Sequence, residues 1–133
     1  MEKVPEAVTA AKEGVRLAPL SADAYLCLGL ALHSPENFSD AAPAYQKSLE
    51  LDPDQFESRA NLGDVCLQLD RTEEAIDALR QAAKIKPNDV KVHFLLAQCY
   101  LKAGNRDDAL REYGIVKRLD SSVAEDLAKS MMK

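Results

Sequence analysis

The chain has 133 residues and a net charge of −5, from 17 basic and 22 acidic residues. Its apolar share of 47% and mean hydropathy of −0.28 fit one ordinary globular domain. The acidic balance argues against a nucleic-acid binder or a partner for anionic membranes, since both require a basic surface.

No apolar run approaches the ~20 residues needed to span a bilayer. The opening Met1-Glu2-Lys3-Val4-Pro5 has no secretory h-region, and the closing Met131-Met132-Lys133 matches no address signal. Cys27, Cys66 and Cys99 are odd in number and contain no CxxC pair. That pattern favours a reducing compartment over a disulfide framework. The expected location is cytoplasmic.

The chain repeats itself. Pro19, Pro53 and Pro87 are evenly spaced, with Ser121 in the next slot. Ala7, Ala41, Ala75 and Ala109 keep the same spacing, as do Leu28, Leu62 and Leu96. Gly29, Gly63 and Ala97 form a further column, and Tyr45, Leu79 and Tyr113 another. Several independent columns at one period indicate stacked repeats.

In chain order, residues 4–18 read as a lone second helix with an apolar stripe of Val4, Val8, Ala11 and Val15. Residues 1–19 are then a half repeat, and 20–53, 54–87 and 88–121 are three full units. In the first full unit Pro35 disturbs the turn, and Pro43 falls in the first turn of the second helix. In the next, helices are expected at about 55–69 and 72–85, from apolar residues at helical spacing. Asp54 with Glu57 and Asp70 with Glu73 have capping-box spacing. Gly104-Asn105 suits a left-handed turn in the third unit. Residues 122–133 form a last helix opened by Ser122 and Glu125, either a cap or the start of another unit. The half repeat suggests that the chain was cut from a longer array.

These motifs resemble the tetratricopeptide repeat family. The first unit reads Leu28-Gly29-x-x-Leu32, Ala41-x-x-x-Tyr45, Pro53. The second reads Leu62-Gly63-x-x-Cys66, Ala75-x-x-x-Leu79, Pro87; the third reads Leu96-Ala97-x-x-Tyr100, Ala109-x-x-x-Tyr113. The slot usually filled by Trp holds Tyr25, Arg59 and His93. The resemblance implies an all-α, right-handed superhelix of about three and a half helix-turn-helix units. It also implies a non-catalytic scaffold that binds a peptide or helix on its concave face.

Mapping the family's groove positions onto this chain selects Leu26, Cys27, Leu30 and His33 in the first unit. It selects Asn61, Asp64 and Leu67 in the second, and Lys91, Phe94, Leu95, Gln98 and Leu101 in the third. The apolar members exceed what a solvated groove needs. Leu95→Glu is therefore expected to abolish binding and spare helicity. Chaperone-binding members hold a terminal carboxylate with five Lys, Asn and Arg side chains. Here Asn61 and Lys91 match, but Leu26, Leu30 and Leu95 fill the other slots. A carboxylate facing leucines loses its hydration without gaining an ion pair, so the clamp is absent.

No nucleotide-loop, hydrolase-elbow or zincin motif is present, so no catalytic residue, cofactor or metal site is expected. His93 occupies a packing column, and His33 ends a helix on the concave side. Charge is graded along the stack. Residues 20–53 hold five acids against Lys47, whereas residues 88–121 hold five acids and six bases. A basic partner end is thereby steered toward the first unit. The expected partner is a protein or peptide. The alternatives are self-association into a homo-oligomer and service as the targeting arm of a larger enzyme.

Overall fold

The computed structural model describes residues 5–132, and among them every regular element is helical. The helices are α1 (Glu6–Leu17), α2 (Ala22–Ala31), α3 (Phe38–Leu51), α4 (Phe56–Gln68) and α5 (Thr72–Ile85). They continue with α6 (Val90–Lys102), α7 (Arg106–Leu119) and α8 (Ser121–Met131). Val4 of the expected apolar stripe lies outside the described residues. Short turns fold α2 onto α3, α4 onto α5 and α6 onto α7; each pair then stacks on the next. The result is a right-handed α-solenoid.

A helix pair alone cannot bury its apolar face, and the core shows how stacking solves this. One cluster joins Val8 of α1, Leu26 of α2, Ala41, Ala42 and Tyr45 of α3, and Val65 of α4. A second joins Leu67 of α4, Leu79 and Ala82 of α5, and Val92, Leu95 and Cys99 of α6. The third joins Ala97 of α6, Ala109 and Val116 of α7, and Ala124, Leu127 and Met131 of α8. Each of the first two therefore borrows the first helix of the next pair.

The Gly column marks where paired helices come closest. A Cβ placed on Gly29 would fall 2.5 Å from the Tyr45 ring, and one on Gly63 would fall 2.4 Å from Leu79 Cγ. The helices approach this closely because those positions carry no side chain.

Polar groups sealed in the stack are satisfied. Ser48 Oγ donates to the Ala22 carbonyl at 2.9 Å and lies 2.7 Å from Ser58 Oγ. Its proton is thereby used, so the Ser58 hydroxyl donates to Ser48. This pair ties α2, α3 and α4 together. His93 is held in the same manner: Nε2 donates to the Pro87 carbonyl at 2.7 Å and Nδ1 lies 2.6 Å from Glu112. The ring lies buried where a large aromatic is usual, bridging the loop before α6 to α7.

Several local expectations need correction. Asp54 does not cap α4: its N–H donates to Asp52 Oδ1, and Gln55 holds the cap position without a side-chain bond. Asp70 is not a cap either; it takes φ +62° in the turn between α4 and α5. Gly104, its counterpart one repeat later, has φ +80°, so the two turns share a left-handed residue. The side chains that cap are Ser21, Asp89, Asn105 and Asp120. Pro43 lies in the second turn of α3, because Pro35–Asn37 forms a separate 3₁₀ turn and α3 starts at Phe38. Pro43 is exposed, and the helix continues through it.

The end of the chain departs from the repeat. Asp120 both ends α7 and caps α8, so the proline-containing loop that separates the earlier pairs is missing. Its carboxylate accepts from the Ser122 hydroxyl and from the N–H groups of Val123 and Ser122, which holds its pKa below the ordinary value. A depressed carboxyl stabilises above its unfolded pKa, and the contribution fades as pH falls through the folded value.

Gly104 tests the turn in isolation. A Cβ there would meet nothing within 4 Å, so the penalty of Gly104→Ala is purely conformational. We expect a loss of about 1 kcal/mol in urea unfolding. An unchanged midpoint would show that the turn relaxes out of the left-handed region.

Candidate protein-binding surfaces

The first helices α2, α4 and α6 touch one another in series and line the inner face. Their mutual contact decides which of the mapped residues are available. Leu26 (8% exposed), Leu67 (6%) and Leu95 (6%) are buried. Leu67 and Leu95 belong to one core cluster, and Leu26 to another. This corrects the expectation that they offer free apolar surface. A first-helix residue pointing at the neighbouring first helix is sealed by it. Leu95→Glu is accordingly a core lesion.

Phe94 and Leu101 are half-buried. They pack against the cluster to which α8 contributes Ala124, Leu127 and Met131. The chain's own last helix therefore takes up part of the inner face at the third unit. What stays open between α4, α6 and α8 is a cleft of about 300 Å³ lined by Leu67, Gln68, Gln98, Leu101, Lys102 and Ser130. Lys102 Nζ donates to the Leu67 carbonyl at 3.3 Å and pairs with Asp70, holding the end of α6 against the end of α4. Asn61 is half-buried and Lys91 is exposed.

His33 and Asp64 are brought together by stacking. Asp64 accepts from His33 Nε2 at 3.1 Å, and Tyr45 OH lies 2.8 Å from Nδ1. With Nε2 donating to the carboxylate, Nδ1 accepts the Tyr45 proton. Burial, and then the Asp64 charge, push the Tyr45 hydroxyl above its ordinary pKa, so it remains a donor. His33 lies just beyond α2 and ties the end of that helix to Tyr45 of α3 and Asp64 of α4.

Cys27 and Leu30 belong elsewhere. Both are exposed, and they face α1 across an apolar cleft of about 610 Å³. The cysteines split in the same way. Burial pushes the Cys99 thiol up to about 12 and raises that of Cys66, whereas Cys27 lies on the surface. No group of three or more His, Cys, Asp or Glu with metal-binding geometry occurs among the described residues. No described helix is long and apolar enough to cross a membrane.

Sequence mapping missed the α1 contribution to the second cleft and the intrusion of α8 into the first. The repeat columns contained a signal for the former: Ala7 and Ala11 align with Ala41 and Tyr45, which belong to the core. The signal for the latter was Ser121 in the proline slot, since α7 passes to α8 at Asp120 without a proline loop.

Stacked helix hairpins with small residues at each closest approach define a helical-repeat interaction fold. Two tetratricopeptide repeat family models match the chain, over residues 36–90 and 67–120. The chain belongs to the tetratricopeptide repeat family. Among curated proteins it is 29% identical over 89 residues to a peroxisomal targeting signal receptor of Candida glabrata, covering 67% of this chain and 15% of that one. It is 31% identical over 94 residues to a DnaJ homolog subfamily C member 7 homolog of Dictyostelium discoideum, covering 68% and 17%. The chain thus spans about a sixth of the length of these relatives. Among solved structures, MamA aligns with a TM-score of 0.82 at 24% identity, covering 86% of this chain and 67% of that one.

Proposed function

We propose that this chain is a non-catalytic interaction module that binds a peptide or helix of a partner protein on its inner face. The observation that carries this reading is the open cleft between α4, α6 and α8, with its mixed lining of Leu101, Gln68, Gln98 and Lys102. Leu101 supplies apolar contact, and the amides beside it bond a ligand backbone and set its register. Asn61 extends this polar row toward the first unit. A relative named as a targeting signal receptor supports recognition of a short peptide.

The test is selection from a random-sequence peptide library. Enriched peptides are expected to bind the wild type and to lose about tenfold in affinity to the double variant Asn61→Ala/Gln98→Ala, with unchanged circular dichroism. Failure to enrich any peptide, or affinity indifferent to the double variant, would remove this reading.

A further inference from the structure

Both nitrogens of the His93 ring point at acceptor groups. Nε2 lies 2.7 Å from the Pro87 carbonyl, and Nδ1 lies 2.6 Å from Glu112 Oε2. A carbonyl has no proton to give, so Nε2 carries one. In a neutral ring Nδ1 is then bare, and its lone pair would face a carboxylate lone pair at 2.6 Å. A further proton therefore lies between His93 and Glu112. A free carboxyl group gives up its proton near pH ~4.3 and a free imidazolium near ~6.5, so the proton rests on the ring. The pair is shielded, with side chains 8% and 14% exposed, so water does not take the place of that proton.

The repeat gives an independent reason for a charged ring. His93 stands one unit after Arg59. Arg59 donates to the Pro53 carbonyl at 2.8 Å, as His93 does to Pro87. Both bonds tie a first helix to the proline of the loop before it, and in the second unit the donor is a permanent cation. Glu112 stands where that unit has Ala78. The third unit thus adds an acceptor on the side where a neutral ring needs a donor.

The other charged groups around the pair are engaged or turned away. In the loop, Asp89 Oδ1 accepts from the Val92 N–H, and Lys86 Nζ lies over the Phe56 ring. On α7, Asp108 pairs with Arg111. Tyr100, two turns further along α6, feels Arg80 of α5 and Asp108, Arg111 and Glu112 of α7. On α8, Glu125, Asp126 and Lys129 are exposed. Among the described residues, Glu112 is the one acid within ion-pair distance of the ring.

We propose that His93 and Glu112 form a proton-dependent latch on the third unit, in which a doubly protonated ring ties the Pro87 loop to α7. Loss of one proton sets two lone pairs against each other and drives the ring from Glu112. Between about pH 4.3 and 6.5 the unfolded chain also holds this His charged and this Glu ionised, so the latch stabilises fully there. Above ~6.5 the unfolded chain sheds a proton that the folded chain keeps, so stability falls as pH rises. This inference is independent of the inner-face reading above.

The first test is nitrogen NMR of the wild-type chain at about pH 7.5, with the His93 ring assigned through bonds from its backbone. Both ring nitrogens are expected to resonate as protonated. Glu112→Gln keeps the shape and lets an amide donate to Nδ1, so one ring nitrogen should become bare. On unfolding in urea at the same pH, read with an indicator dye in weak buffer, the wild type should release about one proton more than Glu112→Gln. Glu112→Ala should speed amide exchange at residues 88–93 and leave residues 54–59, held by Arg59, unchanged. A bare His93 nitrogen in the wild type would overturn the proposal, and this readout needs no variant to fold. Equal proton release, or unchanged exchange at residues 88–93, would overturn it as well.

Discussion

Leu95→Glu is expected to unfold the chain rather than to silence one surface. Leu95 is packed with Leu67, Val92 and Cys99 where α6 meets α4. Losing its apolar contacts alone costs about 2–5 kcal/mol. A carboxylate left there without a partner adds a further penalty of about the same size. Together these approach the whole stability of a domain, about 5–15 kcal/mol. The residue also sits at a junction between units, and stacked repeats depend on such junctions. Circular dichroism of the variant should show most helical signal lost at room temperature. Retention of a wild-type melting curve would show that α4 and α6 part easily and that Leu95 is accessible.

Gly63→Ala should destabilise by about 2 kcal/mol, against the direction that helix propensity indicates. On an exposed helix Ala is about 1 kcal/mol better than Gly. Here the added Cβ would lie 2.4 Å from Leu79 Cγ, and overpacking of a tight core costs about 1–3 kcal/mol or more. Leu79 is fully buried, so it has no free space into which to retreat. The melting midpoint should fall by roughly 5–10 °C. Leu79→Ala leaves a cavity by itself, yet combined with Gly63→Ala its effect should be less than additive, because each change relieves the other. A midpoint at or above the wild-type value would show that α4 and α5 are not held at the observed distance.

Much of the architecture was legible as columns of residues. The small residue at 29, 63 and 97 and the apolar one at 45, 79 and 113 can recur together only if the helices meet at a fixed height. The left-handed turn at Gly104 was legible as well, since glycine has a distinct backbone preference. Asp70 was misread as a cap because an Asp suits both a cap and a left-handed turn. The observed φ of +62° at Asp70, matched by Gly104 one repeat later, decides for the turn.

The candidate surfaces were only partly legible. Leu26, Leu67 and Leu95 have the spacing of groove residues, but spacing cannot tell whether a neighbouring helix lies over them. Phe94 and Leu101 are subject to the path of α8, and that path follows from Asp120 serving both helix ends. Local chemistry along the chain therefore determined the number of helices, their pairing and the identity of each close contact, since those depend on residues a few turns apart. Only the tertiary structure decided which apolar side chains of the first helices are sealed. Exposure is a property of what covers a residue, and the covering helix is supplied by another part of the sequence.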